Sequence, residues 1–462
     1  MPLRAARHSS SKKMLRTRLA LTATLLAVSF FVGYLVHRQQ VQPYHFIENV
    51  YSRLLVSEFS RRFIASIDEL PEGYWNAARP ASGLTPEQQA NMSRLRSVGY
   101  LGGVQESQAV RGVVRYDPEL SYAGLNLYSS GHGPEAVLMD MNGQRLHVWK
   151  LPYEKAFPDR LPPPIPVTAG YWRKVHLYPN GDLLAVFEGM GLIRVDRNSE
   201  LLWAVPNGSH HDLEVRENGE IYVLTSIAHL RTDVREDGPI LEDFVTVLGA
   251  DGVERRRYSV LDALRDSDFG TLLTHSKGWE GLQGDLLHTN ALEILDGTQA
   301  ERSPAFKQGN VLVSLPAVNA IAVIDLVENR VVWALTGMFE AQHSPTFVET
   351  GNLLIFDNVS EPEGSRVIEV DPFSQDIVWV YRGDEEMAFY SKFSGVTSRL
   401  PNGNTLITET EGGRAFEVTS DKRIVWEFRS PYQAGDNQRF IAALLEMQRL
   451  SASPVDFPFN HP

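Results

Sequence analysis

Along most of the chain, short apolar runs rich in Val, Ile, Leu and Phe alternate with polar positions and end at Gly, Asn, Asp or Pro. That is the pattern of strands joined by tight turns. The clearest stretch runs from Gln342 to Trp379. It opens with HSPTFV, passes a Gly-Asn turn into LLIFD, and continues through the alternating RVIEVD to a strand ending in Trp. A four-stranded meander of this size is one unit, and the unit recurs.

Each copy ends in a Trp two residues before an apolar one, at Trp149, Trp203, Trp333, Trp379 and Trp426. Upstream of each lies a turn of the type NG, QGN or TGN and two strands. One copy carries Arg257 and Tyr258 where the Trp belongs, and a weaker first copy reads YAGLNLYSS with EAVLMDMNGQRLHVWKL. Six copies at this period predict an all-β, six-bladed β-propeller with four strands per blade. In this reading GVVRYDP, residues 112–118, supplies the missing inner strand of the first blade.

Four segments break the strand pattern. Leu19 to Val36 is apolar and uncharged, just long enough to cross a bilayer, and follows a basic stretch that includes Arg4, Lys12, Lys13 and Arg18. Basic residues on that side keep the N-terminus in the cytoplasm and send the rest across. No small-residue cleavage site follows, so an uncleaved anchor is preferred over a signal peptide. Tyr44 to Leu70 has helical spacing. Thr85-Pro86-Glu87-Gln88 starts a second helix that ends at Gly99. RFIAALLEMQRL, residues 439–450, reads as an amphipathic helix covering one propeller face. The expected organisation is a basic tail and transmembrane anchor over 1–40, a helical stalk over 41–110, the propeller over 111–430, and a C-terminal helix and tail over 431–462.

A formal net charge of -13 argues against a nucleic-acid partner, and the absence of Cys excludes disulfides and thiolate chemistry. The chemistry collects at blade entrances. Aligned on the turn glycines, His211, His288 and His343 open the inner strands of three adjacent blades. Arg173 takes the equivalent place in the blade before, and Gly395 in the last, with Lys392 and Arg399 near it. Strands that begin alike in successive blades begin at one mouth of the channel, so these side chains should meet there. Three His can hold a metal with an open position. Alternatively one is a nucleophile toward a group with charged oxygens, its neighbours move protons, and the cations bind those oxygens. A third reading is a propeller that only binds an anionic or aromatic ligand or a partner protein. Arg414 in ETEGGRAFEV is a further candidate cation beside Glu411.

The HHD, HTN and QH…FDN segments and the closing SRLPNGNTLITETEGGRAFEVTSDKRIVWEF resemble the bacterial arylsulfotransferases over residues 112–450. The resemblance implies a periplasmic propeller held at the inner membrane. It implies an enzyme that moves a sulfuryl group from a phenolic sulfate ester to a phenolic acceptor through a sulfohistidine, with no nucleotide sulfate donor and no cofactor. By motif, His343 matches the nucleophile. His211 and His288 match its assisting histidines, with Asn290 beside the latter. One position departs: Pro316 in VSLPAVNAIAVID stands where the family has an Arg. A sulfuryl-binding cation must then come from Arg173, Lys392, Arg399 or Arg414.

The anchor yields the first prediction. A reporter domain fused after Trp426 should be active only in a form that requires export. Activity of that fusion in the cytoplasm contradicts the orientation.

Overall fold

The computed structural model describes residues 73–77, 111–160, 168–276, 278–279, 283–360, 364–383, 388–434 and 440–451. The chain divides into two compact units, Met1–Leu54 and Leu55–Pro462, and every described residue lies in the second. Leu19 to Val36, the helix expected over Tyr44 to Leu70 and the helix start at Thr85 lie outside the described residues. Among those described, no helix is long and apolar enough to cross a membrane.

Six antiparallel sheets follow one another, and blades 2 to 6 each begin at the inner strand. Blade 2 is Val175–Leu177, Leu183–Phe187, Gly191–Val195 and Leu201–Val205. Blades 3, 4 and 5 open with Ser209–Val215, Ala291–Ile294 and His343–Phe347, and blade 6 with Val396–Arg399. The middle strands of each blade are buried on both faces, which is why LLAVF, VLVSL and AIAVID are nearly continuous apolar runs.

The terminal Trp of a blade reaches its neighbour. The Trp149 indole N–H donates to the Gly181 carbonyl at 2.9 Å, Trp379 to Ser420 at 2.9 Å, and Trp426 to Met141 at 2.9 Å. Each indole thus fills the seam between two sheets and satisfies its one polar atom there. Inner strands are laced in the same sense. Asp212 accepts the Leu292 N–H at 3.0 Å, Glu214 that of Ile294 at 2.7 Å, and Glu293 that of Phe347 at 2.9 Å.

Two expectations about closure are corrected. Residues 440–450 are not a helix. Phe440–Ala442 joins Gln433–Ala434 and Trp75–Ala77 in a small sheet, and Leu444–Leu450 is the inner strand of blade 1, paired with Leu125–Ser130. The open edge of blade 1 outweighs the modest helix preference of Leu, Glu, Met and Arg. Gly112–Tyr116 is not that inner strand either. It pairs with Ile424–Arg429 as a fifth, outermost strand of blade 6. Both chain ends therefore overlap the seam between the first and last blades.

Arg449 locks the seam. Its side chain is fully buried, donates to Asn126 Oδ1 at 2.7 Å and to the Tyr122 carbonyl, and pairs with Glu417 of blade 6 at 2.8 Å. Removing one partner of such a pair strands the other as a buried charge. Arg449→Met should cost about 3–5 kcal/mol in equilibrium urea unfolding. A loss too small to resolve would show that the seam does not depend on it.

Candidate active site

A pocket opens at the end of the channel where the inner strands begin. Each blade gives it two consecutive residues: Arg173-Lys174, His211-Asp212, Asn290-Ala291, His343-Ser344, Gly395-Val396 and Leu445-Glu446. The register read from the turn glycines is therefore met by Arg173, His211, His343 and Gly395. At the last, a Cβ would come within 2.5 Å of the buried Phe356 ring, so only glycine allows this close approach. In blade 4 the equivalent residue is Asn290. His288 precedes it by two, outside the strand, and its ring meets that of His211 edge-on at 5.0 Å.

Local backbone strain aims these groups. His211, His288 and Ser344 all have φ near +50°, a region costly for residues with a Cβ. Bulges in the ladders between His210 and Leu213 and between His343 and Thr346 accompany it. A bulge re-aims a side chain out of the regular alternation, so His210 and His211, though adjacent, bring their Nδ1 atoms within 3.0 Å.

His343 is 2% exposed. Its Nδ1 lies 2.9 Å from Asn358 Oδ1 and 3.0 Å from the Ala341 carbonyl. The Asn358 amide nitrogen donates to the Ser391 and Ser394 carbonyls, which fixes its oxygen toward the ring. Both neighbours of Nδ1 are acceptors, so Nδ1 carries the hydrogen and Nε2 the lone pair. That Nε2 is buried and has no hydrogen-bond partner among the described residues. Burial, then the Arg173 charge, lower the ring's pKa to about 3, against the pull of Asn358, so it stays neutral.

The other two histidines differ from it and from each other. His211 Nδ1 lies 3.1 Å from Glu188, which also accepts the His211 backbone N–H. Burial and the neighbouring His288 and Arg173 charges hold its pKa well below the ordinary value. His288 donates from Nδ1 to Asp285 at 2.6 Å and stacks flat on Trp279 at 4.5 Å. Burial disfavours its charged form, but Asp285, Asp243 and Glu188 outweigh burial and raise its pKa.

Of the four cations, only Arg173 lines the pocket. It donates to Ser394 Oγ at 2.8 Å and to the Leu445 carbonyl at 3.4 Å, with Glu188 at 3.7 Å. Arg399 lies three residues past Val396 and pairs with Glu369 at 2.6 Å. Arg414 is buried in blade 6 between Glu427 and Glu409, at 2.9 and 3.3 Å. The Lys392 ammonium rests over the Phe393 ring at 4.4 Å. Pro316, itself buried, begins a one-turn helix after the second strand of blade 4. Lys174 bridges Asp212 and Glu446 across the channel, at 3.2 and 2.5 Å. Glu188, Asp243, Asp285, Trp279 and Asn358 were not singled out from sequence. Asp243 lies in the third strand of blade 3 and Asn358 in the second strand of blade 5, while Glu188, Asp285 and Trp279 come from turns and loops that the repeat does not index.

Among the described residues, the His, Asp and Glu side chains close enough to share an ion are Glu188, His210 and His211. The trio His211, His288 and His343, whose metal-holding reading was only one alternative, is not such a group.

A family model described as arylsulfotransferase (ASST) matches residues 174–431, more than half of the chain. The chain belongs to the arylsulfotransferase family. The match runs over blades 2 to 6 and takes in all three histidines. No curated protein matches. Among solved structures, this arylsulfotransferase-family propeller is similar to a protein of unknown function from Bacteroides caccae. Identity there is 11%, coverage 71% of this chain and 98% of that one, and the TM-score 0.46. A streptogramin B lyase matches at 11% identity, 73% and 93% coverage and TM-score 0.40. The WD40 propeller domain of Doa1 matches at 10%, 75% and 96%, and 0.39. None of these bears on function.

The buried histidines give a pH prediction. Unfolded, His343 and His210 take up protons near pH 6.5. Folded, they do so only near 3 and 4. The unfolded chain binds more protons in between, so stability is full above pH 6.5 and falls as pH drops toward 4. Thermal unfolding from pH 7 to 4 should show this fall, and His343→Gln should flatten it. An unchanged slope in that variant contradicts the neutral assignment.

Proposed function

We propose that this arylsulfotransferase-like protein transfers a sulfuryl group from a phenolic sulfate ester to a phenol, with His343 as the group's carrier. The observation that carries the reading is the His343 ring, neutral, fixed through Nδ1 by Asn358, with an unpartnered Nε2 in the pocket wall. A neutral imidazole with a bare nitrogen attacks an electrophile and splits one displacement into two. Low basicity also makes this nitrogen a ready leaving group in the second half. Arg173 of blade 2 binds the sulfuryl oxygens, the duty for which the family Arg is absent at Pro316. Asn290, its Nδ2 committed to the Gln342 carbonyl at 3.0 Å, fixes the loop ahead of His343. His211 and His288 move the proton between the two phenolic oxygens. No nucleotide donor is required, and the orientation expected from Leu19 to Val36 places the reaction outside the cytoplasm.

Wild-type protein given 4-nitrophenyl sulfate and a phenol acceptor should release nitrophenolate and form the new ester. His343→Ala should lose at least about 10²-fold in kcat while keeping its unfolding midpoint within a few degrees, because a missing nucleophile removes the chemical step. Donor alone should leave an acid-labile sulfuryl group on the peptide that contains His343. A fully active variant, or a stable adduct elsewhere, ends the assignment. A wild type inert to every aryl sulfate points instead to a ligand-binding propeller.

A further inference from the structure

We propose that Asp285 and Trp279 are positioning residues that hold His288 as the acid protonating the departing phenolate, and so widen the donor range to esters of weakly acidic phenols. The proposal rests on the sulfuryl-transfer reading above.

His288 lies outside the inner-strand register, in a left-handed backbone conformation that nothing in its own strand demands. Two contacts account for its place. Its Nδ1 donates to Asp285 Oδ2 at 2.6 Å, and its face lies on the Trp279 indole at 4.5 Å with planes 9° apart. The two supports are joined to each other, since the Trp279 backbone N–H donates to the Asp285 carbonyl at 2.8 Å. The loop is tied to blade 3 through Leu241 N–H, which donates to Gly284 at 2.8 Å. The second oxygen of Asp285 is buried and has no hydrogen-bond partner among the described residues, none of which competes with His288 for this carboxylate. A carboxylate on one ring nitrogen and an aromatic face below it both favour the imidazolium. Among the described residues, the other groups acting on the ring include Asp243 from blade 3, Glu188 from blade 2, and the histidines 210, 211 and 343. Its raised pKa, set against the lowered values of His211 and His343, agrees with the carboxylates prevailing.

With Nδ1 committed to Asp285, Nε2 carries the transferable proton. His343 Nε2 forms the N–S bond with its lone pair as the S–O bond to the aryl group breaks. The electron pair leaves on the phenolate oxygen, which takes the Nε2 proton of His288. In the return half, the acceptor's O–H proton goes to His288, the O–S bond forms, and the N–S electrons return to His343.

A donor series separates this from a structural role. Esters of acidic phenols need little protonation as they leave, and esters of weakly acidic phenols need much. Asp285→Asn keeps an acceptor for Nδ1 and removes the charge. It should lose less than about 10-fold in kcat with 4-nitrophenyl sulfate and about 10²-fold or more with phenyl sulfate. Trp279→Phe, which keeps a flat ring, should show the same trend in weaker form if the first variant does not fold. NMR titration of His288 should show its pKa falling in Asp285→Asn. Equal losses across the series, or an unmoved His288 titration, overturn the proposal and leave the sulfuryl reading standing. A wild type that turns over no aryl sulfate overturns both.

Discussion

Everything in this molecule depends on closing the ring. A blade packs on two neighbours, and six blades in sequence leave the first and last each with one exposed face and one unpaired edge. Leu444–Leu450 removes that edge by becoming the inner strand of blade 1, while Gly112–Tyr116 extends blade 6 outward. The seam is thus bridged from both chain ends, and Arg449 ties the two blades through Glu417 and through stacking over Trp426. A buried ion pair adds little by itself, since desolvation offsets most of its attraction. Its worth here is registry: a slipped final strand would leave an unpaired guanidinium among apolar side chains.

The propeller was legible because its signals repeat. The Trp positions, turn glycines and alternating runs recur together, and the Trp indoles prove to be contacts between blades. The final strand was not legible, because the physics of FIAALLEMQRL is decided elsewhere. Leu444, Leu445, Glu446 and Met447 are all buried, and burial on both faces erases the alternation by which a strand is recognised. The same run satisfies a helical template as well. GVVRYDP was assigned to the wrong blade for a related reason. Strand propensity says that a segment seeks an edge, and says nothing of which edge is open.

At the site, repetition located Arg173, His211, His343 and Gly395, because inner-strand starts are indexed by the repeat. His288 does not hold that register: in blade 4 it is Asn290 that lines the pocket, and His288 sits in the loop before the strand. The carboxylates that govern these rings, Glu188 and Asp285, sit in connections whose lengths vary from blade to blade. No spacing rule reaches them. Of the candidate cations, Arg399 and Arg414 are consumed by Glu369, Glu409 and Glu427 within or between blades. In a chain this rich in carboxylates, a cation's partner decides its role more than its position does.

Fold and site are joined at the last strand. Leu445 and Glu446 line the pocket, and the Leu445 carbonyl accepts from Arg173. Glu446 shares the Lys174 ammonium with Asp212 of blade 3, so the closing strand, blade 2 and blade 3 meet in one charged contact across the channel. Lys174 is therefore engaged before any ligand arrives, and its charge is balanced within the channel. Arg173, one residue earlier, donates to Ser394 and to the Leu445 carbonyl, lies 3.7 Å from Glu188, and lines the pocket. A closed ring thus does more than stabilise the sheets. It supplies the sixth side of the pocket, neutralises one cation of an adjacent pair, and leaves the other beside a neutral histidine whose bare nitrogen has no partner among the described residues.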